Sequence, residues 1–328
     1  MEAVNLVLTY AIGAETRRRI ADLSPRVKLH DAADLVLAER NGDFSSREQL
    51  DAMLAEAEII YGFRLPTNVI SRAPGLKWIQ TMLAGVDHIL DSELLNSPVI
   101  LTNSGGLHGT SMSEFALHLM LMFAKGAPRC FELKQSRKWE RFSPAMLRSQ
   151  TAGIIGLGKV GHEVARLAKA CGMRVVAVDA KRLARARYVN MVLPPERLGE
   201  LLKESDFVII TLPLTPETRN LMGEAQFRAM KPGAYFINIG RGAIADEAAL
   251  VHALEEKWIS GAGLDAFATE PLPPDSRLWD FPNVIFSPHI AGTLPNYPVA
   301  ATELFLKNLR HYLEGRKLFN IVNKQRGY

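Results

Sequence analysis

The run TAGIIGLGKVG, residues 151–161, decides the fold of this chain. Four residues of strand character, AGII, pass directly into Gly156-Leu157-Gly158-Lys159-Val160-Gly161. A helical pattern follows, with apolar residues at Val160, Val164, Leu167 and Cys171 before Gly172. Glycines cluster in many turns, so a lone GxGxxG says little; strand, turn and helix in this order make it a dinucleotide site. Gly156 permits the tight turn, Gly158 lets the backbone approach a pyrophosphate, and Gly161 lets helix and strand pack closely. The helix N-terminus adds N–H groups and a positive dipole for the phosphate oxygens.

The next strand, VVAV, ends at Asp179. A carboxylate there can accept hydrogen bonds from both ribose hydroxyls and repels a 2′-phosphate, which favours NAD. Lys181 and Arg182, just beyond, could pair with such a phosphate and leave NADP open.

Working outward, AGIIG, RVVAVD, DFVIITL, AYFINIG and GAGLDAF alternate with helical or turn-rich stretches from Thr151 onward. Strands apolar at every position are buried on both faces, as in a parallel sheet, and the pattern is doubly wound. Ahead of them NLVLTY, EIIYG, LKWIQ and VILTN alternate with helix-like segments, one opened by the capping pattern Ser45-x-x-Glu48. A helical stretch from Ser111 to Lys125, ended by Gly126 and Pro128, is expected to link the two parts. The segment Tyr297 to Leu313 has helical spacing in Ala301, Leu304, Phe305, Asn308, Leu309 and Tyr312, and is expected to pack back on the first part. The expected architecture is α/β with two doubly wound parallel-sheet domains. A Rossmann-type NAD-binding domain spans residues 102–292, and a smaller, discontinuous flavodoxin-like substrate domain takes 1–101 and 293–328.

A chain of 328 residues, 48% hydrophobic, has room for two domains and a sizeable core. The net charge of +4 is modest and, apart from Arg17–Arg19 and Lys181–Arg187, scattered, so no nucleic-acid partner is expected. Cys130 and Cys171 are read as reduced and structural. The longest apolar stretch, FALHLMLMF at 115–123, is too short to span a bilayer, and no basic region with a signal-length apolar segment opens the chain. A soluble, cytoplasmic protein without membrane contact follows as an expectation, and no metal site is read.

Three charged residues are each read as following a buried-type strand of the second part: Arg241 after FINIG, Glu270 after GLDAFAT and His289 in FSPHIAG. Ligands of open parallel sheets bind beyond the carboxyl ends of the strands, so the three are expected to converge on the crevice that the glycine turn faces. Each has a bland alternative: a surface arginine, a solvent carboxylate before Pro271, a satisfied turn histidine. Their joint occurrence in a nucleotide fold favours chemistry.

GLGKVG, Asp179, DFVIITLPLTPET, NIGRG, LDAFATEPLP and SPHIAG, in this order, resemble the motif series of the D-2-hydroxyacid dehydrogenases, most strongly from about residue 75 to 292. The resemblance implies hydride transfer between NAD(H) and a 2-hydroxy acid / 2-oxo acid pair of D configuration, with Arg241, Glu270 and His289 as the catalytic trio. Arg241 can grip the carboxylate and polarise the carbonyl. His289 exchanges the proton, and Glu270 orients its ring and favours its charged form.

The resemblance further implies that the backbone of Ala84, Gly85 and Val86 in LAGVD grips the substrate carboxylate; the alternative is a plain helix-start turn. Asp265 resembles the aspartate that meets the nicotinamide amide; the alternative is a carboxylate binding a nearby backbone donor. Lys159 and Val160 are expected to give backbone donors to the pyrophosphate, and Thr211, Pro213 and Ile239 to line the cofactor groove. Asn103 and His108 could face the substrate or serve a hinge, and Arg148 reads as a surface residue. Leu83, His108, Leu294 and Tyr297 are candidates for the substrate side chain, without discriminating chemistry.

Formate dehydrogenases of the superfamily carry glutamine where Glu270 stands, and phosphite dehydrogenases carry a lysine in the loop that here reads TMLAGVDHI, so both are disfavoured. Many phosphoglycerate dehydrogenases add a C-terminal regulatory domain, whereas this sequence ends soon after its final helix; short ones remain open. NAD-dependent corepressors of the family keep the same trio, and a binding module with little turnover is the alternative. A homodimer is expected, with the Phe115–Phe123 helix as candidate contact, and domain closure is expected to shield the hydride from water.

Overall fold

The computed structural model describes residues 2–181 and 186–327. Arg182, one of the cations read beside Asp179, lies outside the described residues. The chain divides into two compact units, Met1–Leu107 with Pro295–Tyr328, and His108–Leu294.

The first unit is built on five parallel strands: β1 (Val4–Leu8), β2 (Val27–Asp31), β3 (Ile59–Gly62), β4 (Trp78–Thr81) and β5 (Ile100–Thr102), in the order β2-β1-β3-β4-β5. This is the flavodoxin-like order. β3 and β4 are buried at every position, as strands covered on both faces must be. β2, VKLHD, lies at the edge with only Val27 buried, and it has no apolar run by which to read it. The helix Tyr297–Leu313 belongs to this unit: Ala301, Phe305 and Leu309 share a core with Leu6, Leu8 and Trp78. The Phe305 ring stacks on Tyr61 at 3.9 Å, and burying a side chain of that size contributes about 1.5–3 kcal/mol.

The chain stays in the first unit past residue 101, because β5 runs to Thr102 and the Ser104 hydroxyl donates to the Thr81 carbonyl. It returns at Pro295 rather than 293. The capping box read at Ser45 is not formed. Its N–H donates to the Asp43 carboxylate, and the helix starts at Arg47 without a side-chain cap.

Seven parallel strands make the second unit: β6 (Thr151–Ile155), β7 (Arg174–Val178), β8 (Met191–Leu193), β9 (Phe207–Ile210), β10 (Tyr235–Asn238), β11 (Gly261–Leu264) and β12 (Val284–Phe286). Their order is β12-β11-β10-β9-β6-β7-β8, doubly wound about β6. With β7 on one side of β6 and β9 on the other, the switch point falls at the glycine turn. The edge strands β8 and β12 are short and incompletely buried. His289 therefore follows an edge strand, not the buried type read for it.

The helix Gly109–Ala124 turns Ala116, Leu119, Met120 and Phe123 into the core of its own unit, so that face is not open to a second molecule. Pro128 does not end a helix; it stands in the first turn of the next one, Ala127–Gln135, where its missing N–H costs nothing. Beyond it Phe131, Trp139 and Met146 are exposed, Trp139 to 98%. Among the described residues no helix is long and apolar enough to cross a membrane.

Candidate active site

The glycine turn is built as its spacing requires. Gly156 follows β6 with φ +102°, in the region that a side chain strains, and its N–H donates to Val178 of β7 at 2.8 Å. A Cβ on Gly161 would stand 2.0 Å from the Gly156 carbonyl oxygen, so the helix Lys159–Ala170 reaches the turn only without one. A Cβ on Gly158 would meet nothing within 4 Å. Protein packing therefore does not demand glycine at 158, and the open space beside it suits an approaching phosphate. No side chain caps this helix, and the N–H groups of Gly158 and Val160 have no acceptor among the described residues. The residues present fit a dinucleotide pyrophosphate.

Asp179 braces the same turn. Its carboxylate accepts the N–H of Leu157 at 2.7 Å and of Lys181 at 2.8 Å, which fixes the carboxylate at the end of β7. Thr211 also serves the turn, its hydroxyl donating to the Gly156 carbonyl at 2.6 Å. Pro213 is half-buried nearby in sequence, with its carbonyl accepting the Thr218 hydroxyl. Ile239 is 1% exposed and packs in the core with Ile154 and Ile237, so its side chain does not line a groove. An apolar residue at the end of a central strand is held by the core first.

His289 and Glu270 meet. The ring Nδ1 lies 2.8 Å from Glu270 Oε2, and the other carboxylate oxygen accepts the Phe267 N–H at 3.0 Å. His289 itself sits at φ +54°, a left-handed conformation that a non-glycine residue adopts at a cost. What holds it there is Asp265, 2% exposed, whose oxygens take the Ser287 hydroxyl at 2.6 Å and the N–H groups of Ile290 and Ala291 at 2.8 and 2.9 Å. These bonds match the bland alternative for Asp265, a carboxylate serving backbone donors, so a nicotinamide contact would come in addition to them. The Ser287 hydroxyl carries no sequence signal for this part.

Arg241 follows β10 and is half-buried, its guanidinium donating to the Gly240 carbonyl at 3.1 Å. The next residue, Gly242, packs so tightly on the Phe267–Ala268 backbone that a Cβ would come within 1.8 Å of it. Gly242 thus lies against the backbone whose Phe267 N–H anchors Glu270, and Glu270 in turn pairs with His289. His108 lies in the same unit, its Nδ1 2.6 Å from the Gly292 carbonyl. Burial and the charge of Arg241 lower its pKa below the ordinary histidine value, against the opposing pull of the carbonyl bond. Ser111 donates to the Ala291 and Thr293 carbonyls, so His108 and Ser111 both brace the segment that carries His289. Arg148 is exposed.

In the first unit the loop after β4 is irregular, not a helix start, and Val86 turns its side chain into the core. The Asn103 amide donates to the Ala84 carbonyl at 2.7 Å, and the Leu83 carbonyl accepts the Ser104 N–H at 2.9 Å. The N–H groups of Ala84, Gly85 and Val86 have no acceptor among the described residues. Asn103 thus belongs to the support of this loop.

Comparison with known proteins gives a consistent result. The sequence profile described as the NAD binding domain of D-isomer specific 2-hydroxyacid dehydrogenase matches residues 117–291. A glyoxylate reductase of Aeropyrum pernix is 35% identical over 292 residues, covering 85% of this chain and 86% of that protein. A solved D-isomer specific 2-hydroxyacid dehydrogenase of Xanthobacter autotrophicus, in complex with NADPH and MES, superposes with a TM-score of 0.85. It is 29% identical, over 99% of this chain and 100% of the other. The NADPH-dependent glyoxylate/hydroxypyruvate reductase of Sinorhizobium meliloti, with NADP and sulfate, gives 0.83 at 28% identity over the whole of both chains.

Proposed function

The chain belongs to the family of D-isomer specific 2-hydroxyacid dehydrogenases, NAD(P)-dependent oxidoreductases, and from that premise we propose that Arg241, Glu270 and His289 carry its reaction. The observation that carries the proposal is the 2.8 Å pair of His289 Nδ1 and Glu270 Oε2. A carboxylate accepts, so Nδ1 donates, and Nε2 is the nitrogen that exchanges a proton with the substrate. In reduction the imidazolium protonates the carbonyl oxygen of the 2-oxo acid; in oxidation neutral Nε2 takes the hydroxyl proton. Arg241 grips the substrate carboxylate and polarises the carbonyl. The N–H groups of Ala84, Gly85 and Val86 form a second anion grip.

The bound nicotinamide supplies or accepts the hydride. Gly158, Lys159, Val160 and the helix dipole behind them hold its pyrophosphate. Asp179 holds the adenosine ribose, and its charge favours NAD over NADP. The relatives give no support to a binding module without turnover, and that reading is set aside.

A second copy of the chain covers the exposed Phe131, Trp139 and Met146 in our reading, which makes the protein a homodimer. Two free cysteines, Cys130 and Cys171, suit a reducing cytoplasm. A spectrophotometric screen of NADH and NADPH oxidation against a panel of 2-oxo acids, glyoxylate and hydroxypyruvate included, tests the assignment. Turnover with at least one acid, faster with NADH, is expected; no turnover with any would refute it.

A further inference from the structure

A cavity of about 1020 Å³ opens in the first unit at the carboxyl ends of β1, β3 and β4, where Thr9, Phe63 and Leu83 line it. That end of a doubly wound sheet, at the β1/β3 neighbourhood where strand order reverses, is where open sheets take ligands. Leu83 immediately precedes Ala84, Gly85 and Val86, the three N–H groups read above as a carboxylate grip. A 2-oxo acid held there by its carboxylate has this cavity beginning at the adjacent residue.

The lining says what kind of side chain fits. Tyr10 and Phe63 meet edge to face at 4.7 Å, and Leu65, Val69, Ile89 and Leu90 complete an apolar wall. Among the charged residues of the lining, Arg40 and Arg64 are matched in number by Asp34 and Asp91. Arg40 donates to the Leu65 carbonyl and Asp91 caps the Leu94 N–H, so both already serve the fold. This balance gives no reason for a second carboxylate or a phosphate on the substrate. The wall is also preformed: buried Glu39 accepts both the N–H and the hydroxyl of Thr67 and pairs with Arg72, tying down the loop that carries Leu65. The Thr9 hydroxyl, also of the lining, is buried with no partner among the described residues.

We infer that this cavity receives the side chain of the 2-oxo acid and selects a bulky apolar one, aromatic or branched, over glyoxylate; the inference rests on the oxidoreductase reading above. Glyoxylate carries only a hydrogen beyond its carbonyl and would leave the cavity to water, whereas an apolar group displaces that water from an apolar wall.

The experiment measures kcat/KM for glyoxylate, pyruvate, 4-methyl-2-oxopentanoate and phenylpyruvate, with NADH and with NADPH. It uses the full chain and the variants Ala11→Trp and Leu37→Trp, which place an indole into the cavity from two exposed lining positions. One or both bulky acids are expected to exceed glyoxylate by about tenfold or more, and each variant to lower the bulky-to-glyoxylate ratio by a similar factor. Preference for glyoxylate, or a ratio that neither variant moves, overturns the inference while leaving the dehydrogenase reading intact. No turnover with any acid overturns that reading itself, and this inference with it.

Discussion

Asp265 accepts the backbone N–H of Ile290 at 2.8 Å, and so fixes the residue that directly follows His289. Two further bonds, from Ala291 and Ser287, close the loop around a carboxylate that is almost wholly buried. Asp265→Ala leaves these donors without an acceptor, at about 1–3 kcal/mol for each group that stays buried. The variant is expected to melt earlier than the parent and to lose most of its kcat. Normal denaturation and normal turnover together would show that the loop holds His289 without Asp265.

His289→Ala removes the proton donor and leaves the glycine turn untouched. A loss of roughly 10²–10⁴-fold in kcat is expected, with NADH affinity by fluorescence titration close to the parent's. Glu270→Ala is expected to fall less far, because Nε2 survives while its ring is no longer oriented. An active His289→Ala would remove that residue from the mechanism.

The glycine turn separates packing from ligand contact. Gly161→Ala drives a Cβ against the Gly156 carbonyl and is expected to lower both stability and NADH affinity. Gly158→Ala meets no protein atom, so its melting temperature should match the parent's while its Kd for NADH rises. Equal cofactor affinity in Gly158→Ala and the parent would place the pyrophosphate elsewhere.

His108 predicts a pH effect on stability. Its pKa in the fold lies below the ordinary value of 6.5, so the unfolded chain binds the proton more readily than the native one. This contribution is full above pH 6.5 and is lost as pH falls through 6.5 toward the lower native value. Urea unfolding followed from pH 8 downward should show a steeper loss in the parent than in His108→Gln. Parallel curves would contradict a lowered pKa for this half-buried histidine.

Much of this was legible because the decisive features are spaced by backbone geometry. The GLGKVG turn, the carboxylate at 179 and the buried strands each have one structural use that fits their pattern. Edge strand β2, VKLHD, has no apolar run, and the edge strands β8 and β12, at three residues each, are too short to stand out from the segments around them. The core position of the Ile239 side chain was not legible, because an apolar residue beside Gly240 looks the same in sequence whether it faces a groove or the core. Asp265 admitted two uses that no local pattern separates. Of the first-unit cavity only Leu83 was singled out in the sequence, as its wall comes from loops after different strands.

The most direct test follows the hydride itself. The protein is incubated with a 2-oxo acid that it turns over and with NADH deuterated at the transferable position of the nicotinamide. Mass spectrometry and chiral chromatography then locate the label. The account predicts one deuterium at C2 of the D-2-hydroxy acid; product that carries no deuterium from either face of the nicotinamide would contradict it.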